Sequence, residues 1–157
     1  MITIRFATSE DIPQLLCLLE TLFSIEADFS IDSIKQSKGL ELLLLSTRDG
    51  VWVAELIGTN KIVGMCSIQT MISTAEGGFV GLLEDLVVMS DYRQHGIGAK
   101  LLAEAINWSK AQGLKRLQLL ADKNNADALA FYQKQGWLET QLICLRAADI
   151  LNYVECT

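Results

Sequence analysis

An apolar run, a short polar loop with two glycines and an amphipathic helix follow one another between residues 86 and 100. This strand–loop–helix order constrains the fold more than any other part of the chain. Gly96 and Gly98 allow backbone N–H groups to turn toward a bound anion, since no Cβ blocks the approach. The helix behind them adds unpaired N–H donors and the positive end of its dipole. The segment therefore predicts a site for a phosphate-bearing ligand.

Apolar spacing along the rest of the chain alternates between the strand and helix periods. The predicted order is β-α-α-β-β-β-α-β-α-β, which indicates a single α/β domain over residues 1–157, with a mixed central sheet and helices on both faces. Predicted strands cover residues 2–7, 51–56, 62–68, 79–89, 117–120 and 137–145. Predicted helices begin at a cap on Thr8 or Ser9, cover 32–46 and 96–112, and run from Asn124 or Asn125 to about Gln135.

Composition excludes several classes of protein. The 157 residues carry a net charge of −6, which argues against a nucleic-acid partner held by electrostatics. The four cysteines show no C-x-x-C spacing, so neither a disulfide framework nor a metal site is expected. No apolar run has the length of a membrane span, and no secretory signal is visible. We expect a soluble, cytoplasmic protein without a membrane partner.

The glycine loop does not match two common nucleotide motifs. In a dinucleotide G-x-G-x-x-G motif the third glycine would fall at Leu101, and no G-x-x-x-x-G-K-[ST] run occurs. The loop does match R-x-x-G-x-G, as Arg93, Gly96 and Gly98, and so resembles the GNAT superfamily of acetyl-CoA-dependent N-acetyltransferases. That resemblance implies contacts to coenzyme A from Arg93 and from the segment Gln94, His95, Gly96, Ile97, Gly98, Ala99 and Lys100. The alternative is a glycine turn without a ligand.

A second block strengthens the resemblance. Asn125, Ala128, Tyr132, Gly136 and Trp137 have the spacing N-x-x-A-x-x-x-Y-x-x-x-G-[aromatic] found in the superfamily. The resemblance implies that Asn125 contacts the pantetheine arm and that the Tyr132 hydroxyl lies near the coenzyme sulfur, where it protonates the departing thiolate. A tyrosine that only packs in the core is the alternative for Tyr132.

A third segment, residues 84–93, resembles the corresponding run of diamine (spermidine/spermine-type) acetyltransferases and implies that Glu84 is the general base. A substrate amine with a pKa near about 10.4 arrives protonated and must lose a proton before it attacks the thioester. Strand alternation places Glu84 and Asp85 on opposite faces unless a bulge intervenes, and we expect Glu84 to face the site. A base at Asp85, or a proton path through water, stays open.

The resemblance also implies that Leu86, Val87 and Val88 line the pantetheine arm, with a backbone N–H near Leu86 stabilising the oxyanion. The sequence thus predicts an N-acetyltransferase that moves an acetyl group directly from acetyl-CoA to a primary amine, without a metal. Residues after Trp137 do not resemble the diamine enzymes, so the acceptor stays open between a diamine or polyamine, another small amine, and a protein lysine or N-terminus. A non-catalytic acyl-CoA sensor is the alternative of a different class, and a homodimer is common in this superfamily.

Overall fold

The computed structural model describes residues 1–26, 28–147 and 150. The chain divides into two compact units, Met1–Leu119 and Leu120–Thr157. The first unit contains the sheet and the first three helices, and the second contains the fourth helix. None of the helices in the described residues has the length and apolar character that a bilayer crossing requires.

The first unit is built on a five-stranded mixed sheet with the strand order β1-β2-β3-β4-β5. Neighbours from β1 to β4 pair antiparallel, whereas β4 and β5 pair parallel. The strands are β1 (Ile2–Phe6), β2 (Gly50–Leu56), β3 (Lys61–Ser73), β4 (Gly78–Val88) and β5 (Leu117–Leu119). The helices of this unit are α1 (Ile12–Phe23), α2 (Ser33–Leu45) and α3 (Ile97–Ala111).

Helices cover both faces of this sheet. On one face, leucines of α1 and α2 pack against alternate residues of the strands, among them Val53, Met65 and Val87. On the other face, Trp108 of α3 meets Trp52 edge to face, with ring centroids 5.3 Å apart. Strand alternation explains the division, because Trp52 and Val53 are successive residues with opposite side-chain directions. The predicted α/β class, mixed sheet and two helical layers are confirmed.

Arg5 on β1 joins three separate parts of the first unit. Its guanidinium donates to both carboxylate oxygens of Asp11, at 2.7 and 2.9 Å, and to Glu55 on β2 at 2.5 Å. Asp11 ends the short 3₁₀ turn Ser9–Asp11 that leads into α1. The hydrogen bonds from Arg5 hold the pKa of Asp11 below its usual value, against the opposing effect of burial. The pair therefore fixes the start of α1 against the sheet.

The second unit is organised around α4 (Ala126–Lys134). Asn125 caps it, since its side-chain oxygen accepts a hydrogen bond from the N–H of Ala128 at 3.1 Å. After the helix, Gly136 has a φ of +85°, and the N–H of Trp137 donates to the carbonyl of Tyr132 at 3.0 Å. Both ends of α4 therefore match the sequence prediction, with Asn125 rather than Asn124 as the cap.

The predicted strand over residues 137–145 is wrong for the described structure, where no part of this segment forms a strand. Its many apolar residues indicated a strand, but β-structure requires a neighbouring strand as well as a suitable sequence. Leu138 and Leu145 are 88% and 86% exposed. Elsewhere the main difference is the length of β3, which continues to Ser73 because its ladder with β4 extends to the Ser73–Gly78 pair.

Candidate functional site

The loop between β4 and α3 is held in shape by its own hydrogen bonds. The Nε of Arg93 donates to the carbonyl oxygen of Val88 at 2.9 Å, which ties the loop to the last residue of β4. The Nδ1 of His95 lies 2.7 Å from the carbonyl oxygen of Arg93. Gln94 and Gly96 both have left-handed backbone, with φ values of +63° and +74°. These contacts turn the loop sharply before α3 begins.

The turned loop presents a row of backbone N–H groups. The first hydrogen bond of the helix runs from the N–H of Lys100 to the carbonyl of Gly96, at 3.1 Å. The N–H groups of residues 94–99 find no acceptor within the described parts of the chain, and Gly96 has no side chain that could cap the helix. Six donors at the positive end of a 15-residue helix form a cradle that fits a phosphate group.

Immediately before this loop, β4 separates from β5. Their parallel pairing covers only three pairs, from Gly81–Leu117 to Leu83–Leu119. Residues 84–88 of β4 therefore have no strand partner on that side within the described structure. An extended backbone with a free edge can bind an extended ligand through alternating main-chain donors and acceptors. The predicted contacts at Leu86, Val87 and Val88 all lie on this free edge.

A β-bulge interrupts β4 at the start of the free edge. Ser67 of β3 pairs with Glu84 and Met65 pairs with Val87, so Asp85 and Leu86 together oppose the single residue Cys66. Asp85 has a φ of +54°, which is unusual for a residue with a side chain. Because the bulge breaks the alternation, Glu84 and Asp85 are not forced to opposite faces, and the expectation that only one of them can face the site does not apply.

Glu84 is held by the neighbouring strand. Its carboxylate accepts a hydrogen bond from the side-chain amide of Gln69 at 2.9 Å. The hydroxyl of Ser67 lies 3.3 Å from the main-chain carbonyl oxygen of Glu84. Antiparallel partners direct their side chains to the same face, and the Met65–Val87 pair on this face belongs to the core under α1 and α2. The Glu84 carboxylate therefore lies on the side of the sheet covered by α1 and α2.

Asp85 occupies a different electrostatic environment. Burial, which is the largest effect, and the nearby charges of Glu84 and Glu26 together raise the pKa of its carboxyl to about 7, against a hydrogen bond from the Ser67 hydroxyl that lowers it. Burial also raises the pKa of the Cys66 thiol to about 12, with the charge of Asp85 adding to the effect. Cys66 therefore stays a neutral thiol and is unsuited to act as a nucleophile.

The acetyltransferase (GNAT) family matches residues 18–137, which include the bulged strand, the glycine loop and α4. The chain belongs to the acetyltransferase (GNAT) family. The predicted acyltransferase of GNAT type is confirmed at the level of the family.

One relative and two solved structures show what this GNAT protein is similar to. An uncharacterized N-acetyltransferase of Methanocaldococcus jannaschii is 29% identical over 146 residues and matches 90% of this chain, which spans 62% of that relative's length. A possible acetyltransferase of Clostridium difficile 630 has the same fold, with a TM-score of 0.83, 22% identity and coverage of 96% and 99% of the two chains. An aminoglycoside acetyltransferase from an uncultured soil metagenomic sample, in complex with sisomicin, is 28% identical, with a TM-score of 0.76 and coverage of 94% and 95%.

The other two predicted site residues lie on α4 in the second unit. Asn125 uses its side-chain oxygen to cap the helix. Tyr132 is half-buried, and its ring packs against Phe131 and Trp137 with centroid distances of 5.3 and 6.0 Å.

The carboxylates of the N-terminal region have different structural roles in this GNAT protein. Glu55 is paired with Arg5, and Asp32 caps α2 by accepting from the N–H groups of Ile34 and Lys35 at 3.2 Å. Asp32 and Glu20 also line a groove of about 500 Å³ between α1 and α2. The charge of Glu26 raises the pKa of Asp85. Within the described residues, no group of three or more His, Cys, Asp or Glu side chains could hold a metal ion.

Two partners of the acidic pair, Gln69 and Ser67, were not predicted from the sequence. Gln69 and Ser67 lie on β3, 15 and 17 residues before Glu84. No motif contains them, because their proximity depends on the register between β3 and β4. The alternation of polar and apolar residues from Cys66 to Gln69 was the only sequence signal that could have identified them.

Proposed function

We propose that this GNAT protein is an N-acetyltransferase that moves an acetyl group from acetyl-CoA to a small cationic amine by direct transfer. The observation that carries the proposal is the row of unpaired N–H groups at residues 94–99, at the end of a strand with a free edge. This arrangement fits a pyrophosphate followed by an extended, amide-containing chain, and those are the two parts of coenzyme A that precede the thioester. A nucleotide without such a chain would leave the free edge of β4 unused.

The residues of the chain would share the work of transfer. Residues 94–100 and Arg93 hold the pyrophosphate end, and the free edge along Leu86, Val87 and Val88 aligns the pantetheine arm, with a contact from Asn125. A main-chain N–H near Leu86 stabilises the oxyanion that forms on the acetyl carbonyl. The acidic pair at the bulge, within which the resemblance points to Glu84, removes the proton of the amine. Tyr132 protonates the departing thiolate. Alignment of two substrates supplies much of the acceleration.

The charge of the site supports a cationic acceptor. The charges of Glu84 and Glu26 both act on Asp85, and no Lys or Arg of the described residues forms an ion pair with Glu84 or Asp85. Uncompensated carboxylates in a half-buried position favour a ligand that brings positive charge. The related aminoglycoside acetyltransferase was crystallised with sisomicin, an amine-rich ligand. Diamines and polyamines belong to the same chemical class. By resemblance we also propose that the protein works as a cytoplasmic homodimer.

The test measures release of free thiol from acetyl-CoA by the purified protein with a panel of acceptors. The panel holds spermidine, a diamine, a monoamine, sisomicin, an amino acid and a lysine-containing peptide. We expect the fastest release with acceptors that carry two or more positive charges. Preference for the peptide would contradict the proposed substrate class, and tight acetyl-CoA binding without acceleration by any amine would identify a sensor. Light scattering of the same preparation tests the dimer.

A further inference from the structure

The two carboxylates at the bulge differ in what holds them. Glu84 has one oxygen fixed by the Gln69 amide at 2.9 Å. That bond places the carboxylate on the covered side of the sheet and leaves its second oxygen for another donor. A carboxylate held in this way suits a charged ligand group such as an ammonium ion. Glu84 therefore has the features of a binding residue.

Asp85 is held in a strained conformation, and no Lys or Arg among the residues that the structure describes is paired with it. Its φ of +54° places it in the left-handed region, which costs of order 1–3 kcal/mol for such a residue and is most often found at functional sites. The groups that face it are Glu84 on β4, Ser67 and Cys66 on β3, and Glu26 after α1. None of these carries a positive charge.

We propose that Asp85 takes the proton from the acceptor amine, while Glu84 binds the ammonium group. This assignment rests on the proposed function and moves the proton-accepting role, which the resemblance implies for Glu84, to Asp85. A general base is most efficient when its pKa lies near the working pH. The pKa of Asp85 is raised to about 7 by burial and by the nearby charges. The strained bulge holds Asp85 next to Glu84 and to the free edge.

The step balances without any further reactant. The ammonium group gives one proton to the Asp85 carboxylate and becomes a neutral amine, whose lone pair forms the new C–N bond to the acetyl carbon. The C–S bond then breaks, and the thiolate takes up a proton while the nitrogen loses its second one. Asp85 returns its proton to water when the products leave. The products are the N-acetyl amine and free coenzyme A.

Two variants separate the roles, Asp85→Asn and Glu84→Gln, with the exposed Glu104→Gln on α3 as the matched control. The measurement is kcat and KM against pH from 5.5 to 9, with spermidine and the fastest amine of the panel. In the wild type, kcat/KM should rise with an apparent pKa near 7. Asp85→Asn should abolish this rise and lower kcat/KM at pH 8 by about 10²–10⁴-fold. Glu84→Gln should keep the rise, move it to lower pH because a like charge is removed, and mainly raise KM.

A carboxyl ¹³C NMR titration of aspartate-labelled protein adds a readout that needs no turnover. The resonance that is lost in Asp85→Asn should titrate near pH 7 in the wild type and at lower pH in Glu84→Gln. A pH rise that persists in Asp85→Asn, or that disappears in Glu84→Gln, would overturn the assignment while leaving acetyl transfer intact. Should Asp85→Asn not fold, the Glu84→Gln profile decides alone. A wild type that transfers to no amine removes the proposed function, and this assignment with it.

Discussion

Gly96 and Gly113 stand at opposite ends of α3 with almost the same left-handed backbone, at φ values of +74° and +72°. At neither position would a Cβ meet an atom within 4 Å. An alanine would therefore impose the same backbone strain at both positions and no clash at either. Only Gly96 belongs to the row of unpaired N–H groups, so this pair of glycines separates an effect on the coenzyme from an effect on stability.

Gly96→Ala should weaken acetyl-CoA binding, whereas Gly113→Ala should not. Both variants should lose about 1 kcal/mol of unfolding free energy, because a non-glycine residue is disfavoured in the left-handed region. Gly96→Ala should also raise the Kd for acetyl-CoA about tenfold, since a backbone that leaves the left-handed region at this position redirects the neighbouring N–H groups. Calorimetric titration with acetyl-CoA and urea unfolding of both variants provide the measurements. Equal affinities in the two variants would refute the cradle.

Tyr132→Phe should lower kcat by about 10²-fold and leave the Kd for acetyl-CoA within twofold of the wild type, because a proton donor acts in the chemical step. The ring contacts with Phe131 and Trp137 persist in this variant. Tyr92→Phe is the matched control, since it removes a hydroxyl that lies on the surface, 3.3 Å from Nζ of Lys61. Steady-state kinetics of both variants test this prediction. An unchanged kcat in Tyr132→Phe would remove the residue from the mechanism.

Asp85→Asn should change how stability depends on pH. The folded-state pKa of Asp85, about 7, lies above its unfolded value of 3.8, so the folded wild type binds an extra proton between these values. Its stability therefore falls as the pH rises from about 4 to 7. The variant lacks this loss, and its stability relative to the wild type should grow by about 1 kcal/mol per pH unit across that window. Urea unfolding at pH 4.5, 5.5, 6.5 and 7.5 measures the difference, and a constant difference would show that Asp85 titrates normally.

Asp11→Asn should show the opposite dependence. Arg5 lowers the folded-state pKa of Asp11, so the stabilisation is present above the unfolded value near 4 and is lost as the pH falls through the folded value. At pH 7 the variant should lose about 2 kcal/mol, since Arg5 loses the charged partner Asp11 and keeps Glu55 and the carbonyl oxygen of Phe6. The gap to the wild type should close below pH 4. Unfolding of this variant beside Glu104→Gln from pH 3 to 7 measures it, and a gap independent of pH would contradict the ion pair.

Local signals in the sequence were sufficient to predict most of the helices and the turn in the glycine loop. Asp32 and Asn125 cap helices through their own side chains, and these bonds need only neighbouring residues. Gly96 turns the chain at the position where the motif predicts it. Such features depend on contacts within three or four residues, so a single sequence reveals them.

Features that depend on distant residues could not be predicted. The bulge at Asp85 arises from the register between β3 and β4, and the bond from Gln69 to Glu84 follows from the same register. Because of the bulge, alternation within β4 alone does not determine the faces on which the two carboxylates lie. The strand predicted over residues 137–145 is wrong for a related reason. The sequence of one segment does not specify whether a neighbouring strand is there to pair with it.

The three-residue contact between β4 and β5 also bears on which substitutions the strand tolerates. A ligand that completes the sheet along Leu86, Val87 and Val88 would be recognised by peptide groups, which every amino acid except proline supplies alike. The side chains of these residues are then free to serve the interior, as Val87 does in the core under α1 and α2. The peptide groups of these residues thus serve ligand recognition, and their side chains serve packing. Conservative apolar exchanges at residues 86–88 can therefore alter the packing of the core without altering the recognition of the ligand.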